Sequence, residues 1–187
     1  MRKYPAPVLL LFVLLIPLCL HAGDATPQTR QEIIQIEGME ETVTTTYTQG
    51  TKGYAMWIDT DYLVLQPEDE GSDIDVYVSP HVIPGFVCEL LITRWSAWGY
   101  SFEQAIEDTR QNLMENYGNA NTLENVDLFN GLRAGGFYSI DRKYTLITYL
   151  AEAEAEVFYY FTIRCPHEAA EGFASRVIWM LRSFEHH

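Results

Sequence analysis

The stretch from Lys143 to Phe184 constrains the fold more than any other, because its hydrophobic period changes partway through. Tyr144, Leu146, Thr148 and Leu150 alternate with Lys143, Thr145, Ile147 and Tyr149. In Val157–Arg164, the residues Val157, Tyr159, Phe161 and Ile163 form a wholly apolar face, while Phe158, Tyr160, Thr162 and Arg164 form a mixed one. A period of two in β-branched and aromatic residues predicts strands. Beyond Pro166 the period lengthens: Ala170, Phe173, Ala174, Val177, Ile178, Leu181 and Phe184 recur at the spacing of one helix face. Pro166 suits the first helical turn, where its missing N–H costs nothing. Glu168 and Glu171 near the positive end, and Arg182 near the negative end, suit the helix dipole. A two-stranded hairpin is marginal alone in water, so the apolar strand face requires this helix as a cover. Between the strands, Ala151–Glu156 spells Ala-Glu three times, a helix-favouring composition where the pattern needs a turn. So short a segment cannot hold a helix on its own, and the hairpin reading stands.

Upstream, Gln31–Glu37 reads as a short edge strand, Glu41–Gln49 as a threonine-rich strand, and Gly50 with Gly53 as the brackets of a turn. Tyr54–Ile58, Ile74–Ser79 and Val87–Trp95 are predicted strands; Pro67–Asp73 and Pro80–Phe86 are predicted loops. The acidic Pro67–Asp73 turn lacks the carboxylate spacing of a calcium loop. Ser101 and Gln104 form a capping box opening a helix over Ser101–Tyr117, with Gly118 at the left-handed cap. Leu123–Phe129 and Leu132–Ile140 are predicted to form a hairpin about Asn130-Gly131, a pair suited to a type I′ turn.

The first residues carry an address. Arg2 and Lys3 precede an unbroken apolar run, Val8–Ile16, which is too short to span a bilayer. Residues 1–25 are therefore expected to be a signal peptide, 26–52 an N-terminal linker with edge strands, and 53–185 the main domain. Bulky Leu18 stands where lipid attachment at Cys19 favours a small residue, so release is expected rather than a lipoprotein anchor. The whole chain has a formal charge of −14; without Met1–Ala25 there remain 10 basic and 25 acidic residues, or −15. Such a charge repels nucleic acid and anionic lipid, and excludes both as partners. No integral membrane segment is expected after cleavage. The mature cysteines, Cys88 and Cys165, lie at the ends of strand-like segments; export permits a disulfide between them, and two buried free thiols are the alternative.

No assembled chemistry is legible. There is no Gly-x-Ser-x-Gly elbow and no glycine-rich phosphate loop after a strand. His167, Glu168 and Glu171 resemble part of a zinc-protease helix, yet Glu171 stands where the second histidine belongs. No catalytic residue, metal site or cofactor is expected. What remains is aromatic. Trp95, Trp98 and Tyr100 cluster in one predicted loop, either stapling it to the core or forming a contact surface. Trp179 lies two residues beyond Val177, about 200° around the helix, and so faces away from the buried stripe. It is either covered by a segment such as Gln31–Glu37 or exposed as an anchor for a partner.

The hairpin followed by HEAAEGFASRVIWMLRSFE (His167–Glu185) resembles the close of the Mog1/PsbP-like family. GYAMWIDTDYLVLQPEDEG (Gly53–Gly71) and the helix from Ser101 fit the same layout, so the resemblance covers most of Gly53–Glu185. It implies an α+β fold, an α-β-α sandwich in which helices flank a central antiparallel sheet. That family serves in binding and assembly, as a nuclear GTPase partner, a photosystem subunit and bacterial envelope lipoproteins. The expectation is an exported, non-enzymatic binding or accessory protein of the bacterial envelope or extracellular space, with an unknown protein or small ligand as partner. The alternatives are a glycan carrier using the aromatic loop and an exported hydrolase with unconventional site residues.

Overall fold

The computed structural model describes residues 27–67, 71–81 and 84–187. Residues 1–25, expected to be a signal peptide and including Cys19, and Glu68, Asp69 and Glu70 of the acidic turn lie outside the described residues. In chain order the elements are β1 (Thr29–Ile36), β2 (Met39–Gly50), β3 (Tyr54–Asp59), β4 (Val64–Leu65), β5 (Ile74–Val78), β6 (Glu89–Ser96), α1 (Phe102–Tyr117), β7 (Asn121–Thr122), β8 (Arg133–Ile140), β9 (Tyr144–Glu154), β10 (Val157–Pro166), α2 (Ala170–Leu181) and β11 (Glu185–His186). A 3-10 turn at His167–Ala169 leads into α2.

The strands form two antiparallel sheets. The larger runs β4-β5-β6-β10-β9-β8-β7 and the smaller β1-β2-β3-β11. The β9–β10 hairpin is central to the larger sheet, and its two faces behave as their periodicity demands. Leu150 and Phe158 pack under α1 with Phe102 and Ala105. On the opposite face, Tyr159, Phe161, Ile163 and Cys165 join the main core with Phe173, Val177 and Leu181 of α2. The Ala-Glu repeat continues β9 rather than breaking it, and Ala151 is fully buried. The turn closes at Glu156, whose φ is 65°.

The helix-flanked α-β-α sandwich is not what forms. Of the described residues 47% lie in strands and 20% are helical, the latter in two α-helices and one 3-10 turn. Strands read as members of one central sheet build a second sheet instead. That sheet packs on α2: β3 and β1 both contact the helix, and Ile34, Ile36 and Val43 meet Trp179. β3 is buried along its length except at Trp57, which explains its nearly unbroken apolar sequence.

The predicted hairpin about Asn130-Gly131 does not form either. Its turn is correct, with φ of 46° and 81° at the two residues. The segment before it is not a strand, because Leu128 and Phe129 enter the core: Phe129 stacks on Phe161 at 4.7 Å. Burying these two side chains outweighs the hydrogen bonds a partner strand would supply.

α1 begins and ends as its sequence dictates. Ser101 accepts from Gln104 N, the Gln104 side chain accepts from Ser101 N, and Gly118 takes a left-handed φ of 75°. The helix lies over β8 and β9. It passes close to β8 at Gly135, where a Cβ would come within 2.4 Å of Ile106 Cδ1, the movable end of that side chain.

Candidate functional site

The aromatic segment predicted as a loop begins inside β6, at Trp95, and divides into a pedestal and a tip. Trp95 is paired across the ladder with Phe158 and stacks on it at 5.5 Å. Tyr100 meets the Trp95 ring edge-on at 4.8 Å, and Tyr160 lies 6.4 Å away. Both Trp95 and Tyr100 are therefore packed on the small core beneath α1. Trp98 is not: it is 96% exposed.

The backbone that carries Trp98 is tied down on both sides. Tyr100 N donates to Ala97 O at 3.2 Å, closing the turn, and Ala97 N donates to Glu156 O at 3.2 Å. Gly99 N donates to the Glu156 carboxylate at 2.6 Å. Gly99 has φ of 75°, which glycine adopts at the third position of such a turn without steric cost. The β9–β10 turn thus braces the loop that lifts Trp98 into solvent. Glu154 and Glu156 give that end of the molecule an acidic rim.

Trp179 occupies the other candidate position. It is half-buried beneath Ile34, Ile36 and Val43, so the edge strand covers much of it. Its remaining surface borders a groove of about 330 Å³, together with Trp57, Arg30 and Arg182. Trp57 is a site residue that sequence reading did not single out. It lies across the ladder from Tyr47, with ring centroids 5.3 Å apart, and the Arg30 guanidinium sits 4.1 Å above it. Tyr47 OH donates to Glu185 at 3.0 Å, and that carboxylate raises the Tyr47 hydroxyl above its ordinary range. A hairpin turning at Gly50–Gly53 places Tyr47 opposite Trp57, and that spacing was the available signal.

Cys88 and Cys165 are both buried and free. Glu89 pairs with Arg164, so one further step in the register sets Cys88 across from Cys165. Burial pushes the Cys165 thiol up to about 12, with neighbouring Cys88 adding to the effect, and burial also raises Cys88. Neither is a ready nucleophile. His167 serves as a structural link: Nδ1 lies 2.9 Å from Thr145 Oγ1 and Nε2 lies 3.1 Å from Asp141 O. No group of three or more His, Cys, Asp or Glu side chains suited to a metal ion occurs among the described residues. No helix among them is long and apolar enough to cross a membrane.

A second feature missed in the sequence is Arg176, a buried cation on α2. Its Nη1 lies 3.0 Å from Asp59 Oδ2, its Nη2 bonds Glu41, and its guanidinium sits 4.4 Å over the Tyr62 ring. This pins the smaller sheet to the helix and holds the cover over Trp179 in place.

Fold and site together define a two-sheet, mostly β domain that presents one solvent-facing tryptophan on a braced turn. Residues 26–185 match the model of a family described as a domain of unknown function (DUF8580), and the chain belongs to that family. Comparison with curated proteins found no match.

Proposed function

We propose that this chain is an exported, non-enzymatic binding protein, and that Trp98 is the anchor it offers to a protein partner. The observation that carries this reading is the 96% exposure of Trp98 on a turn fixed by three hydrogen bonds. A large exposed aromatic costs solubility, and its retention on a rigid support suits a buried contact in a complex. With the backbone fixed, only two side-chain torsions are lost on docking, so little conformational entropy opposes it. The partner's surface is an apolar pocket with a basic rim, complementary to Glu154, Glu156 and the charge of −15 that remains without Met1–Ala25. A glycan carrier is the weaker alternative: the faces of Trp95 and Tyr100 are spent on Phe158 and on each other, leaving a single ring for stacking.

The test places a photo-crosslinking amino acid at Ser96, exposed beside the Trp98 turn, in the producing cells. A parallel chain carries it at Met114, which is also exposed. The proposal expects a discrete crosslinked species from position 96, lost in Trp98→Ala, and none from 114. Identical ladders from both positions, no adduct from 96, or an adduct that survives Trp98→Ala would refute it.

A further inference from the structure

α1 does not cover the larger sheet evenly. It sits mainly over β8 and part of β9. Between its C-terminal half and the exposed parts of β6, β10 and β9 a cleft of about 420 Å³ opens, within the range of small-molecule sites. The cleft lies at the opposite end of α1 from the Trp98 turn.

Its chemistry is graded. Half-buried Leu91 and Tyr117 supply the accessible apolar lining, backed by the buried Leu113 and Leu146. Hydroxyls from Thr148 and Thr162, 3.4 Å apart across the ladder, and from Tyr160 supply hydrogen-bonding groups, while buried Thr109 already donates to Ala105 O at 2.7 Å. These side chains stand on regular strands and a helix, so the shape is preformed. At the mouth, the exposed Asp108 carboxylate makes no ion pair or hydrogen bond among the described residues, and no cation lines the cleft. An unpaired carboxylate beside an apolar slot, on a protein of strongly negative charge, attracts a cation and repels an acid.

We infer that this cleft binds a small amphiphilic amine: a flat apolar body seated on Leu91 and Tyr117, with a protonated amino group at Asp108. The inference is independent of the Trp98 reading.

Calorimetric titration with tryptamine and with indole-3-acetate tests it, because the two share a ring and differ in the sign of their charge. Tryptamine is expected to bind saturably and indole-3-acetate not to bind. Asp108→Asn, a surface change that leaves the fold intact, is expected to weaken tryptamine about tenfold by removing the charged contact. Leu91→Trp, which fills the cleft, is expected to abolish binding, and Trp98→Ala to leave it unchanged. Equal binding of both probes, binding of neither, or tryptamine affinity unaltered by Asp108→Asn and Leu91→Trp would overturn the assignment.

Discussion

Replacing Arg176 with alanine tests the union of the two sheets. Arg176 is 9% exposed and Asp59 4% exposed, so the mutation strands a carboxylate in the interior. The Asp61 backbone N–H still donates to Asp59 Oδ1 at 3.2 Å, but it satisfies one oxygen only. Removing one partner of a buried pair costs about 3–5 kcal/mol. For a domain of this size that corresponds to a fall in Tm of about 10 °C. The loss should hardly respond to added salt, because buried charges are poorly screened; the exposed Glu107–Arg110 pair is the contrasting case. Urea unfolding of Arg176→Ala, Asp59→Ala and the double variant closes a cycle, with an expected coupling above about 1.5 kcal/mol. Loosening the smaller sheet should also uncover Trp179 and shift tryptophan emission to the red. A loss below about 1 kcal/mol, or simple additivity of the two changes, would refute the pinning role.

Further outcomes follow from the same contacts. Trp95→Ala should cost about 3 kcal/mol by chemical unfolding, since its ring is part of the packed pedestal, whereas Trp98→Ala should stay within about 0.5 kcal/mol of the parent; equal losses would contradict the division into pedestal and tip. Gly50→Ala would place a Cβ 2.1 Å from the ring of Tyr54, which is fully buried and donates to Tyr77 OH at 3.1 Å, so overpacking should cost about 1–3 kcal/mol. The backbone N–H groups of Lys143 and Tyr144, both 2.6 Å from Asp141 Oδ1, hold its carboxyl below the usual range. Because the folded value is depressed, this stabilisation is fully present above the unfolded value of about 4 and is lost as pH falls through the folded one. The parent should therefore lose more stability than Asp141→Asn on acidification below pH about 4, and parallel curves would contradict the assignment.

Local pattern was legible where local forces decide. The Ser101 and Gln104 capping box, the Gly118 cap, and the two faces of Val157–Arg164 all formed as their residues require. The failures share a cause, in that tertiary burial overrode local preference. Ala151 lies in a strand because a small residue fits a fully buried ladder position, despite its helical leaning. Leu128 and Phe129 left their expected hairpin for the core. The second sheet was invisible because alternation in Gln31–Glu37 and Glu41–Gln49 reports one buried face without saying what covers it. Arg176 was missed because a cation on an apolar stripe looks like a rim residue until Asp59, buried at the end of β3, is seen opposite it. At the site, composition flagged Trp95, Trp98 and Tyr100 together, and helical phase flagged Trp179 apart from them. Only coordinates separate them, since rings with similar neighbours in sequence differ in what packs on them in space.

Acrylamide quenching of tryptophan fluorescence, compared between the parent and Trp98→Phe, bears most directly on Trp98 as the freely offered anchor. One of the four tryptophans should be quenched at the rate of a fully solvated indole in the parent, and that component should vanish in Trp98→Phe. An unchanged accessible component in Trp98→Phe would mean that another ring faces solvent and that the anchor has been misplaced.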